Sequence, residues 1–412
     1  TAALMSKIPC DVQTNKLYHT NHKSATIQAT LFYTDGFVCM SGYICAYSCL
    51  RVSTRLKLEA SLGVGLTLAW KYFLLVVKRW YRLAIGMVLG MIYVWKILPL
   101  ISVGPLQVTS FGCNDTNYFT SLFFINNNFG GNGKPEERMC VPWYWYLGVD
   151  FWLFTTLPGI VLIGLYSHRM ALFFCTLLGL SSMAWSMYYQ QSNHIREIHG
   201  NNGFWIVDVL TKPYFHGLPY YLGVSVCFME RMFYGSVYKD STLPVSPPNV
   251  SALFNALGEK RRWRIHRLLE GIAITSLILF IANYLIYYYG FQNDNIDISK
   301  WPQWRHTLWN TVGVLLYGMC PLIFAFSLFY RWGHVLIPLL AQPSPIYGTL
   351  KNIYYDILIW GIPLVLTMLG GLTTVQFFDT YLNDGSVLWM SALVFLCCHF
   401  IHAGYTRPCV QT

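Results

Sequence analysis

The sequence predicts an all-α polytopic membrane protein, with about nine transmembrane helices and one interfacial or re-entrant helix. Three observations predict it. The 412 residues are 55% hydrophobic and 17% aromatic but only 11% charged, which is more apolar surface than one soluble core can hide. The apolar residues gather in runs long enough to cross a bilayer as helices. The Lys and Arg residues give a formal net charge of +10, yet they stand in short clusters between those runs and form no continuous face. Clusters of that kind set topology, so the lipid bilayer is the expected partner and nucleic acid is not.

Residues 1–30 are polar and read as an outer N-terminal segment. The chain begins at Thr1 rather than methionine, so its N-terminus is expected to be incomplete. Spans follow at about 31–51, 81–103, 145–166, 170–189, 217–235, 267–288, 305–329, 352–373 and 386–405. Together they make a membrane domain of residues 31–405, with a short tail at 406–412. The apolar stretch 60–77 has Arg51, Arg55 and Lys57 before it and Lys78, Arg79 and Arg82 after it. A crossing there would put one cluster outside, so the stretch is read as interfacial or re-entrant, with Lys71 snorkelling to the surface. Nine crossings from an outer N-terminus put the loops 51–57, 78–82, 167–170, 236–266 and 330–351 in the cytosol, the basic run Glu259–Arg267 among them.

The loop 104–144 then lies outside. Asn114-Asp115-Thr116 is an N-glycosylation acceptor, and Cys113 and Cys140 share the loop, where an oxidising compartment lets them pair. The expected location is the endoplasmic reticulum or plasma membrane, with the mitochondrial inner membrane as an alternative. Most other cysteines sit in spans, where free Cys behaves as a small hydrophobe. His399 and His402 stand i, i+3 beside Cys397 and Cys398, but no acidic or third imidazole ligand is near in sequence, and no metal is expected. An isolated charge in hydrocarbon is costly and is normally paired. Lys96 lies 14 residues beyond Arg82, about 21 Å along the helix, at a depth like that of Asp35 and Asp150. Lys96 is expected to pair with one of these carboxylates, Asp150 being the choice.

Five segments in order resemble the acyltransferase-3 membrane proteins, and among them the nose resistant to fluoxetine branch. Thr34-Asp35-Gly36-Phe37-Val38-Cys39-Met40-Ser41-Gly42 is similar to that family's V-D-T-F-F-x-L-S-G helix. Lys78-Arg79-Trp80-Tyr81-Arg82-Leu83 resembles K-R-Y-L-R-L, and Gly104-Pro105 the G-P that follows it. The cysteine-framed loop leads into Trp145-Tyr146-Leu147-Gly148-Val149-Asp150, which resembles the W-Y-L-x-x-D entry. Lys212-Pro213-Tyr214-Phe215-His216-Gly217-Leu218-Pro219-Tyr220-Tyr221-Leu222-Gly223 resembles K-P-W-x-R-x-x-P-Y-L-x-G. The family-motif polar positions are thus Asp35, Ser41, Trp145, Asp150 and His216.

The resemblance implies a membrane-embedded enzyme that moves an acyl group from acyl-coenzyme A, a co-substrate rather than a tightly bound cofactor, to a hydroxyl or amine. Arg79 and Arg82, three apart on one helix turn, are the residues it offers for the coenzyme's phosphates. The chain also departs from the family. Trp152 stands for the glutamine of D-x-Q, His216 for the arginine of K-P-W-x-R, and Trp360 for the histidine of Y-x-x-Y-L-x-H. The histidine helix that precedes V-D-T-F-F in the family has no counterpart in Thr1–Thr30, where His19 and His22 lie in a polar loop. These losses lead to the expectation of a degenerate site, retained as a structural, lipid-binding or complex-forming subunit alongside other membrane subunits or bound lipids. The alternative is an active acyl-CoA-dependent O-acyltransferase with its catalytic histidine upstream of Thr1. A small-molecule transporter ranks third, since no repeated halves are detectable.

Overall fold

The computed structural model describes residues 34–59, 64–101, 113–125, 140–141, 144–195, 211–237, most of 267–282 and 302–323, and Val209 and Leu285. The expectations for residues 1–30, Gly104-Pro105, the basic run before Arg267, and the spans at 352–373 and 386–405 with Trp360, His399 and His402 lie outside these. Among the described residues every regular element is helical. Three helical stretches are long and apolar enough to cross a membrane: Trp70–Leu100, Trp145–Tyr166 and His168–Ser192. The chain divides into two compact units, one of Thr1–Asp11, Leu75–Phe151 and Gln342–Thr412, the other of Val12–Leu74 and Trp152–Ala341.

Helix α1 spans Thr34–Glu59 and α2 spans Val64–Ile92. Both correct the sequence reading. Residues 51–57 continue α1 as helix, and α2 runs unbroken through Lys78-Arg79-Trp80-Tyr81-Arg82, so 60–77 and 81–103 are not separated by a loop at 78–82. The physical reason is that the break was inferred from charge alone. Lys, Arg and Leu are good helix formers, and neither Gly nor Pro interrupts residues 66–85. After α2 a π-helical turn, Tyr93–Ile97, leads into the short α3, Leu98–Ile101.

The first unit also contains α4, Asp115–Leu122, whose first turn is capped by the Asn114 side chain accepting from the Asn117 amide at 2.7 Å. Cys113 just before α4 is bonded to Cys140, which ties the start of α4 to the approach of α5, Trp145–Tyr166. At its other end α4 stops at Phe124, which has φ 59°. A left-handed conformation at this position usually selects glycine. Here the ring is buried at 2% exposure and packs on Phe151 with centroids 5.0 Å apart, and that burial offsets the backbone strain.

The second unit is a bundle of α1, the later part of α5, α6 (His168–Ser192) and α7 (Gly217–Val237), joined by α8 (Glu270–Ala282) and α9 (Gln303–Leu308). Ser167 alone separates α5 from α6, and its hydroxyl caps α6 by accepting from the Met170 amide. Pro158 lies within α5, and just before it the hydroxyls of Thr155 and Thr156 bond back into the helix, donating to Trp152 O and Leu153 O at 2.6 and 2.7 Å. Helices α1 and α7 run parallel: Asp35 meets His216 at one end, and Tyr43 donates to Glu230 at 2.6 Å further along. Their backbones approach so closely that a Cβ on Gly223 would collide with the Cys39 carbonyl, and one on Gly42 with the Tyr220 carbonyl.

Helix α6 shows what the bundle is packed in. Its buried positions are Ala171, Cys175, Gly179, Ser182, Ser186 and Gln190, all small or polar. Its exposed positions include Phe173, Leu177, Leu180, Trp185 and Tyr188. In α8 Ala273 and Ser276 are inside while Ile274, Ile278 and Ile281 face out. Water would drive the opposite arrangement. Small residues inside and large apolar residues outside suit a lipid solvent, in which helices gain by close approach rather than by hiding hydrocarbon. The span cysteines Cys39, Cys45, Cys49, Cys175, Cys227 and Cys320 are buried and take no part in a disulfide.

Candidate functional site

Among the described residues, each unit carries a buried polar constellation. In the first, the Arg79 guanidinium donates to the Asp150 carboxylate. The next residue on each helix continues the arrangement. Trp80 Nε1 donates to Leu122 O at 3.1 Å and its ring stacks on Phe123, while Phe151 packs on Phe124. Arg79-Trp80 and Asp150-Phe151 therefore hold the end of α4 between them. Both dipeptides lie in the segments that carry the family resemblance, and Trp145, which opens α5, sits edge-on to Tyr146 at 6.2 Å.

This geometry corrects two expectations. Lys96 does not pair with Asp150. Asp150 is level with Arg79, which is 17 residues before Lys96 in sequence and about 25 Å away along a helix. Lys96 is exposed instead, its ammonium 3.6 Å from the centre of the Trp95 ring. Residues 78–82 and the described part of the predicted outer loop at 113–125 are also not on opposite faces, because Trp80 lies directly against Leu122 and Phe123. Arg79 and Arg82 differ in setting as well: Arg79 is partly buried at its ion pair and Arg82 is exposed. Asn114 is exposed at the start of α4.

In the second unit His216 ends a 3-10 turn, Pro213–His216, that leads directly into α7, and its Nδ1 lies 2.6 Å from Asp35 Oδ1 in the first turn of α1. Both residues are buried. With the carboxylate ionised, Nδ1 carries a proton and donates it to Oδ1 in a hydrogen bond. Asp35 is therefore partnered by His216. His216, at the position where the segment it resembles carries arginine, thus meets Asp35. Ser41, the other motif residue of α1, contacts Cys45 Sγ at 3.7 Å one turn along.

The pair lines a small cavity of about 40 Å³ whose other polar walls are Ser186, Asn310 and Thr311. Gln190 organises that wall, donating to Ser186 Oγ at 3.0 Å and Thr311 Oγ1 at 3.2 Å. Gln303 in turn donates to Gln190 O and Ile195 O, fixing α9 to the end of α6. Asn310 and Thr311 belong to a π-helical turn, Trp309–Gly313, a rare local geometry that is frequent at functional sites. The sequence reading missed this wall, although Ser182, Ser186 and Gln190 recur at four-residue spacing in an apolar span and so mark one polar stripe. Among the described residues, no group of three or more His, Cys, Asp or Glu side chains is placed to hold a metal. No family model matches the chain, and neither a curated protein nor a solved structure matches it.

Proposed function

We propose that the chain is an integral membrane protein of the acyltransferase-3 type, catalytically degenerate and retained as a structural, lipid-binding or complex-forming subunit. The observation that carries this reading is the Arg79–Asp150 ion pair. The arginine that the resemblance offers to a coenzyme's phosphates is engaged by a carboxylate of its own unit, and a phosphate would have to displace that charge-assisted bond. The proposal includes nine spans, with Trp70–Leu100 as a single crossing, residence in the endoplasmic reticulum or plasma membrane, and a glycan on Asn114. That asparagine is exposed, and its cap uses only the side-chain oxygen, leaving the amide nitrogen for the sugar.

A second reading, acyl transfer from acyl-coenzyme A, is favoured by one observation: Asp35 orients His216 beside a cavity, as a general base requires. The two readings separate in one assay. Purified full-length chain in nanodiscs is mixed with acyl-coenzyme A, and free coenzyme A is followed with a thiol reagent. The expected result is release no faster than from empty nanodiscs. Turnover that disappears in both Arg79→Ala and His216→Gln would overturn the degenerate reading in favour of the enzyme.

A further inference from the structure

The cavity of the second unit has a property that the Asp35–His216 pair does not explain. Asn310 is 5% exposed, lines the cavity, and has no hydrogen-bond partner on either Oδ1 or Nδ2. A buried amide without partners costs about 1–3 kcal/mol per group, and native proteins rarely leave such a group unused. The other polar groups lining the cavity have partners: Thr311 and Ser186 in Gln190, and Asp35 in His216. The π-helical turn carries Asn310 at the point where the first turn of α1, the start of α7 and the end of α6 converge. Leu218, Pro219, Met183 and Leu315 complete the lining with apolar surface.

We propose that this cavity binds a small neutral group that donates and accepts a hydrogen bond side by side, a primary carboxamide or a hydroxyl, with Asn310 as its principal partner. An amide facing an amide makes two complementary bonds, which a carboxylate cannot, since it only accepts. An anion is further disfavoured by the Asp35 carboxylate. The volume of about 40 Å³ exceeds the roughly 10–15 Å³ that a single water requires, so the cavity admits a small polar group. The apolar lining suits the carbon next to the polar head. The group could be a free solute or the head of an amphiphile, and the chemistry that Asn310 reads is common to both. Nothing in this site depends on acyl transfer.

The test uses the full chain in nanodiscs and ligand-observed saturation-transfer NMR with acetamide, with acetate as a charged probe of equal size, and with oleamide as the lipid-borne carboxamide. Acetamide is expected to receive saturation at millimolar concentration, at least about fivefold more than acetate. Asn310→Leu and, independently, Leu315→Phe, which fills the cavity from its apolar wall, are expected to abolish the signal. Asn310→Leu is also expected to raise rather than lower the unfolding midpoint, because it removes an unsatisfied amide. Oleamide that competes with acetamide assigns a lipid-borne source, and oleamide that leaves the acetamide signal unchanged assigns a soluble one. Equal acetamide and acetate signals, a signal that survives both substitutions, or no signal from either carboxamide would overturn the proposal.

Discussion

Asp150 and Asp35 are both carboxylates buried in helices, and each meets a nitrogen base from another helix, yet their surroundings differ. Around Asp150 the described neighbours pack on one another: Trp80, next to Arg79, on Phe123 and Leu122, and Phe151 on Phe124, with the Cys113–Cys140 bond beyond. Around Asp35 the packing stops at a cavity, and an amide is left without partners. The first arrangement is a lock; the second has room for a guest. A permanently charged guanidinium suits the lock, because it cannot lose its proton. An imidazole suits the site with room, because it can hold or release one.

The largest test of that contrast is Arg79→Ala. It leaves the Asp150 carboxylate without this guanidinium in a buried setting and should lower stability by roughly 3 kcal/mol, read from SDS titration of the protein in mixed micelles. Arg79→Met combined with Asp150→Leu should recover most of the loss, since no charge then remains buried. A double variant as unstable as Arg79→Ala would mean that the charges themselves do not form the lock. Asp35→Asn should cost less, about 1 kcal/mol by the same titration, because asparagine can accept from Nδ1–H or donate to a bare Nδ1 and so satisfies either histidine tautomer. A loss equal to that of Arg79→Ala would erase the distinction between the two sites.

Much of the first unit was legible as residues but not as partners. The charge clusters, the paired cysteines and the W-Y-L-G-V-D entry could all be read from sequence. The register between α2 and α5 could not, because it depends on a helix that continues through Lys78–Arg82, and charge was taken as a break where helix propensity gave none. Once that helix is continuous, Asp150 falls beside Arg79 and Lys96 is left exposed over Trp95. In the second unit Asp35 and His216 were visible as motif positions. Their 2.6 Å contact spans 181 residues of chain, a separation that no local pattern reports. The wall opposite them depends on a π-helical turn, which has no sequence signature comparable to a cap or a proline. What periodicity could have shown is the polar stripe of Ser182, Ser186 and Gln190, and it identifies the face of α6 on which the cavity lies.

The smallest predicted effect tests whether the lock extends from the ion pair to the segment it holds. The last four carbonyls of a helix lack partners within it, and at the end of α4 two are met by the backbone: Phe119 O accepts from the Phe123 amide and Ser121 O from the Phe124 amide. Leu122 O accepts from Trp80 Nε1 instead. Trp80→Phe keeps an aromatic ring that can still stack on Phe123 but removes this donor, so it should cost about 1 kcal/mol and raise amide hydrogen exchange over residues 115–124 more than elsewhere in the first unit. Trp80→Leu should cost more, because the stack is lost as well. If Trp80→Phe left exchange over α4 unchanged, the indole would be only filling space. The tie between the Arg79–Asp150 pair and the disulfide-bonded segment would then rest on Phe151 and Phe124 alone.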